Sequence, residues 1–165
     1  MKSGFFSPNN LGHSVFRGNN EINLDTKGRI AIPARYRDAL MAQCAGALVI
    51  TIDIKDRCLH IYPLPEWEKI ETQIAALPTF NDTTRRLQRL LIGHARDVEL
   101  DGAGRINIPP ELRKFADIDK KAMLVGQRHR FELWSSESWN THCGTWLEEA
   151  ASALDIPEAM QSLSL

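Results

Sequence analysis

Two short stretches of this chain place an aspartate four residues ahead of an arginine, with a glycine between them: Asp25-Thr26-Lys27-Gly28-Arg29 and Asp101-Gly102-Ala103-Gly104-Arg105. These residue types suit a tight turn that aims a cation outward. An aspartate at the start of a turn accepts backbone N–H groups, and a glycine late in it tolerates a positive φ. The guanidinium that follows is a rigid fork of donors, suited to phosphate oxygens or the edge of a guanine. Asp25 and Asp101 read as orienters, because a carboxylate facing DNA phosphate would be repelled. The blander reading is an Asp–Arg pair that merely pins a turn, and spacing alone does not separate the two.

The two stretches are copies. Residues 24–37 return as 100–113, offset by 76, with 8 of the 14 paired positions identical and no gap. A repeat of this kind sets the architecture, because each copy is one supersecondary unit. In the first copy Ile22 and Leu24 alternate with Glu21, Asn23 and Asp25, the period-two pattern of a half-buried strand. Ile30 and Ile32 restart the alternation beyond the turn. Pro33 ends that second strand, having no N–H for a ladder, and fits the first turn of a helix. Tyr36, Ala39 and Leu40 then recur at helical spacing. One unit reads strand, turn, strand, Pro-started helix.

The duplication extends beyond the motif. Residues 48–52 read as a buried strand and 58–62 as an alternating one, followed by an amphipathic helix carrying Trp67, Ile70, Ile74 and Leu77. Asn81, Asp82 and Thr83 supply N-cap chemistry for a linking helix to Ile92, with Leu87, Leu90 and Leu91 as its apolar side and Gly93 as its stop. Residues 98–100 and 106–108 repeat the strand pair, and Leu112, Phe115 and Ala116 face inward from the second Pro-started helix. Residues 122–125 and 130–134 match the two later strands. Trp139 falls 72 residues after Trp67 and again opens a helix, with Trp146, Leu147 and Ala150 as its expected buried face. The expected division is a flexible leader over 1–14, repeat 1 over 15–80, a linking helix with repeat 2 over 81–154, and a loosely held tail over 155–165.

Composition narrows the chemistry. The longest apolar run, 45–50, is far short of the roughly 20 residues that cross a bilayer, and the first residues lack the apolar core of a signal peptide. No membrane partner is expected, and the cytoplasm is the default address. Cys44, Cys58 and Cys143 are an odd set at unrelated spacings and imply no disulfide framework. Cys58 and His60 share a strand face and His142 adjoins Cys143, but neither pair has partners at ligand spacing, so no metal and no cofactor are expected. Gly102-Ala103-Gly104 lacks the third glycine and the βαβ setting of a dinucleotide site. No Gly-x-Ser-x-Gly elbow or phosphate-binding loop occurs. Neither an enzyme nor a small-molecule substrate is expected. The formal net charge of −1 conceals a local +3 over 24–37, where Lys27, Arg29, Arg35 and Arg37 face Asp25 alone. Segregated charge permits one basic face on a near-neutral protein.

A strand–turn–strand of the form Leu-Asp-x-x-Gly-Arg-Ile-x-Ile-Pro, with an arginine four residues past the proline, resembles the AbrB-like (SpoVT/AbrB) DNA-binding domains. Two copies in one chain, preceded by Phe16-Arg17-Gly18 and joined by a helical pair, resemble the bacterial regulators of the division and cell-wall gene cluster within that group. The resemblance spans residues 16–146. It implies an α+β, mostly β fold: a swapped-hairpin β-barrel formed pseudo-symmetrically by the two tandem repeats and decorated by helices. It also implies contact with double-stranded promoter DNA bearing repeated short sites, nucleoid association, and a homo-oligomeric ring. The residues it points to are Arg29 and Arg105, oriented by Asp25 and Asp101. Lys27, Arg35, Arg37 and Arg113 are further phosphate contacts, for which a solvated helix face is an equal reading. Repeat 2 is less basic, with Gly102-Ala103 in place of Thr26-Lys27 and Glu111 in place of Arg35, so the first turn is expected to bind more strongly. The implied function is a sequence-specific repressor acting on that cluster, its own gene included. Two rivals remain open at this level: an AbrB-like antitoxin, and a ring-forming scaffold that touches no DNA.

Overall fold

Alternation and proline punctuation produce the elements in nearly the expected order. The computed structural model describes residues 15–152 and 157–164; the expected leader over 1–14 lies outside the described residues. Repeat 1 contributes β1 (Asn19–Asn23), β2 (Arg29–Ala31), α1 (Ala34–Cys44), β3 (Ala47–Ile52), β4 (Leu59–Pro63) and α2 (Leu64–Ala75). A linking helix, α3 (Asp82–Leu91), leads to β5 (Arg96–Glu99), β6 (Arg105–Asn107), α4 (Pro110–Phe115), β7 (Lys121–Gly126), β8 (Phe131–Ser135) and α5 (Ser136–Ser152). A short exposed helix, α6 (Glu158–Gln161), occupies the described part of the tail. Pro33, Pro63 and Pro109 cap α1, α2 and α4 from an extended backbone, each with ψ near 140° (138°, 138° and 141°). A proline there ends the strand and starts the helix with one residue. The linking helix has the expected cap: the Asn81 side chain accepts from Thr83 N and Thr84 N at 2.8 and 3.4 Å. No helix among the described residues is long and apolar enough to cross a membrane.

The strands of the two repeats exchange partners. Six of them pair antiparallel in the order β1-β7-β8-β4-β3-β5, so β1 of repeat 1 lies on β7 of repeat 2 and β5 of repeat 2 lies on β3 of repeat 1. The remaining two, β2 and β6, form a separate ribbon. Its register sets Ile30 opposite Ile106, residues that are copies of each other, with Arg29 opposite Asn107 and Ala31 opposite Arg105. At the other side of the molecule Leu59 faces Leu133, His60 faces Glu132 and Ile61 faces Phe131. Both registers are symmetric about their centres. A pseudo-twofold axis therefore passes between Ile30 and Ile106 and between His60 and Glu132.

The expected barrel does not close. Its hydrogen-bonded ladder is an open sheet, and the ribbon meets the sheet by packing rather than by pairing. The ribbon strands are three residues long, and after one further residue each meets Pro33 or Pro109, which has no N–H with which to carry the ladder on. What holds the ribbon down is its apolar face: Ile30, Ile32, Ile106 and Ile108 are all buried in the central core with Leu48, Ile50, Leu59, Ile61, Leu124 and Leu133 from the sheet. Each such side chain contributes about 1.5–3 kcal/mol of burial. Helices α1 and α4 seal the same face through Tyr36, Leu40, Leu112 and Ala116.

The opposite sheet face carries two smaller clusters, Val49 and Tyr62 covered by Trp67 of α2, and Cys58, Val125 and Trp134 beneath α5. One expectation fails there: the expected buried face of α5 is open, with Trp146 and Leu147 39 and 67 % exposed and Ala150 exposed as well, and the apolar side of α3 likewise has no fully buried residue in the described chain. Amphipathic spacing marks a face as apolar without saying what covers it. Gly93 lies just past the end of α3, where its stop was expected, and donates to Arg89 O without a left-handed φ.

Candidate nucleic-acid interface

Each turn is built by its own aspartate. In the first, Asp25 Oδ1 accepts from Lys27 N and Arg29 N, both at 2.9 Å, while Oδ2 accepts from Arg29 Nε at 2.7 Å. Backbone bonds close the loop, from Gly28 N to Asp25 O at 3.0 Å and from Asp25 N to Arg29 O at 2.9 Å. In the second, Asp101 Oδ1 accepts from Ala103 N and Arg105 N, and Oδ2 from Arg105 Nε, all at 2.9 Å. Gly28 and Gly104 take φ of +80° and +72°, as the turn requires. The backbone N–H of the arginine, ahead of its side chain, holds each carboxyl below its ordinary value of 3.8. The aspartates therefore spend both oxygens inside the turn.

Nε of each guanidinium is engaged within the turn, and Arg29 and Arg105 keep 28 and 37 % of their side chains exposed. The ribbon register brings the two arginines onto one surface. Arg29, Ala31, Arg105 and Asn107 alternate with the buried isoleucines and lie on the outer face. Asn107 stands directly across the ladder from Arg29 and is exposed. Sequence reasoning missed it, because its neighbourhood depends on β2 pairing with β6, and neither copy shows that alone.

The other candidate residues divide. Lys27 is exposed at the tip of the first turn. Arg37 donates through Nε to Ile32 O at 2.5 Å, and its copy Arg113 donates to Ile108 O at 3.0 Å. Each of these arginines lies across the turn glycine of the other repeat. A Cβ added at Gly28 would meet the Arg113 guanidinium at 2.6 Å, and one at Gly104 would collide with that of Arg37. Ile32 N and Ile108 N likewise bond the carbonyls of Gly104 and Gly28. The two turns are thus locked to each other by reciprocal contacts. Arg35 is exposed and lies over its neighbour Tyr36, donating to Asn20 Oδ1 at 2.9 Å and to Tyr36 OH at 2.6 Å.

Comparison with known proteins matches this arrangement twice over. The family model described as "MraZ protein, putative antitoxin-like" fits residues 15–90 and again residues 91–158. The chain belongs to the MraZ family. A relative from Pseudomonas aeruginosa (strain LESB58) named transcriptional regulator MraZ is 52 % identical over 151 residues, covering 92 % of this chain and 100 % of the relative. Another of that name, from Halorhodospira halophila, is 49 % identical over 152 residues with the same coverage. A third, from Azotobacter vinelandii, reaches 61 % over 125 residues, 76 % of this chain and 82 % of the relative. In this chain the two MraZ matches coincide with the two strand–turn–strand copies and their following helices. No enzyme family is indicated.

Proposed function

We propose that this MraZ-family chain is a sequence-specific regulator of transcription that grips double-stranded DNA with the outer face of the β2–β6 ribbon and its two flanking turns. The observation that carries this reading is the pair of Asp-held arginines placed on one surface by the ribbon. A two-stranded ribbon fits the major groove, which is about 12 Å wide. Arg29 and Arg105 then reach guanine edges or phosphates, and Asn107 is placed to pair with an adenine edge. Lys27 adds a phosphate contact beside the first turn. Arg35, Arg37 and Arg113 hold the turns and the flanking strands with one side of the guanidinium and offer the other to phosphate. The names of the relatives support regulation rather than catalysis.

One ribbon makes few base contacts, each worth about 1–3 kcal/mol. A homo-oligomeric ring on repeated short sites would raise avidity by a factor on the order of 10²–10⁴, and the unburied faces of α3 and α5 are the surfaces such an assembly would use. The regulated target in this reading is the chain's own division and cell-wall cluster, under repression.

Fluorescence anisotropy with the chain's own upstream DNA against a scrambled duplex tests this. Tight binding to the native duplex, with log affinity falling linearly against log salt, is expected. Equal and weak binding to both duplexes would overturn it and favour a scaffold.

A further inference from the structure

The other end of the pseudo-twofold axis carries a second polar constellation, unrelated to the DNA-facing turns. The β3–β4 turn and strand β4 bring Asp53, Cys58 and His60 together so that one ligand atom from each lies within 4.8 Å of the others. Asp53 Oδ2 is 3.0 Å from His60 Nε2 and 3.8 Å from Cys58 Sγ. Across the repeat boundary, strand β8 adds Glu132, whose Oε1 is 3.9 Å from His60 Nε2. In a tetrahedral zinc site with bonds of about 2.0–2.3 Å, neighbouring ligand atoms lie roughly 3.3–3.8 Å apart. The observed separations bracket that range.

Each of the polar side chains has one atom tied and its other atom turned toward the cluster. Asp53 Oδ1 accepts the turn amides of Lys55 and Asp56, at 2.7 and 3.4 Å, leaving Oδ2 turned inward. Trp134 Nε1 donates to Glu132 Oε2 at 2.9 Å, leaving Oε1. His60 Nδ1 lies 3.1 Å from Tyr62 OH, leaving Nε2. That nitrogen is fully buried, and although close to Asp53 it makes no aligned hydrogen bond. Anchoring of this kind is how metal ligands are oriented. Cys58 is wholly buried, and burial pushes its thiol up, with Glu132 and Asp53 adding to the effect. It is no free nucleophile.

From this geometry we infer that Asp53, Cys58 and His60 form a binding site for a zinc-type divalent cation, set beside Glu132 at the boundary between repeat 1 and repeat 2. Thiolate, imidazole and carboxylate together suit zinc. The charges also balance: two carboxylates and a thiolate are met by a dication and by Arg130, whose Nη2 is 3.6 Å from Glu132 Oε1. Three protein ligands converge, and Glu132 Oε1, 3.9 Å from His60 Nε2, stands beside them from the other repeat.

The test is a titration of the full-length, chelator-treated chain with Co²⁺, read by thiolate-to-cobalt charge-transfer absorption, followed by displacement with Zn²⁺. One equivalent per chain is expected, with the band absent in Cys58→Ser and retained in Cys44→Ser and Cys143→Ser. His60→Gln, at a half-buried position, keeps the test open should Cys58→Ser fold poorly, and should weaken binding at least about tenfold; Tyr62→Phe, acting one shell out, should weaken it about tenfold or less. Zn²⁺ should raise the melting temperature of the wild type and not of His60→Gln. No cobalt absorption in the folded wild type, or a band that survives Cys58→Ser or is indifferent to His60→Gln, would overturn the inference.

Discussion

The two turns share one skeleton and differ in charge. Asp25 and Asp101 make the same three hydrogen bonds, each glycine carries a positive φ, and Arg37 and Arg113 cover each other's turn. Between Asp25 and Arg29 the first turn carries two cations and one anion, whereas Asp101 to Arg105 is neutral. The flanking slot shows the same contrast. Arg35 donates to Asn20 in repeat 1, and at the copied positions Arg96 donates to Glu111 at 3.2 Å. The contact is kept while its polarity is reversed. The backbone is under a constraint that both copies must meet, because each turn is the other's packing surface. Charge is under no such constraint, so the repeats are free to diverge there.

Breaking the shared skeleton should have the largest effect, and an equal one from either side. Ile30→Ala and Ile106→Ala remove copied, buried residues on the axis, and each should cost about 2–5 kcal/mol in denaturant unfolding. A large inequality would mean that the ribbon is not symmetric in its energetics. Next come the arginines. Arg29→Ala and Arg105→Ala should each weaken DNA binding by about 1–3 kcal/mol with little change in unfolding midpoint, the first more than the second. Equal losses in anisotropy would show that Lys27 does not bias the grip.

The charge difference can then be exchanged. Lys27→Ala should lower the slope of log affinity against log salt by about 0.9, and Ala103→Lys should raise it by a similar amount. Unchanged slopes would place both tips away from phosphate. The smallest effect concerns acid. Both aspartates titrate below 3.8, so their stabilisation of the turns is complete above that value and is lost as pH falls through the lower folded value. Carboxyl chemical shifts of Asp25 and Asp101 should therefore titrate together, and DNA binding should not depend on them near neutral pH. A midpoint above 3.8 for either would contradict the hydrogen bonding described.

What was legible in the sequence was whatever is local. The turn chemistry at Asp25 and Gly28 follows from residue types four positions apart, as do the proline-started helices at Pro33 and Pro109. The alternation at Ile30 and Ile32 marked the buried face of β2 correctly. What was not legible depends on pairing between the copies. No feature of either copy says that β1 will lie on β7, or that Asn107 will face Arg29. For the same reason Cys58 and His60 looked partnerless: Asp53 joins them through the turn, and Glu132 arrives from a strand 72 residues beyond His60. Helical spacing also marked Trp146 and Leu147 as buried, when the described chain leaves both exposed. Periodicity reports that a face is apolar, and only the assembled surface says what covers it.

The most direct test of the proposal that the ribbon reads DNA is anisotropy of the native upstream duplex with wild type and with Arg29→Ala/Arg105→Ala, with circular dichroism and oligomeric state followed in parallel. Loss of specific binding in a variant that keeps its fold and assembly is the predicted result. Undiminished binding by that folded double variant would contradict the account and move the interface away from the two turns.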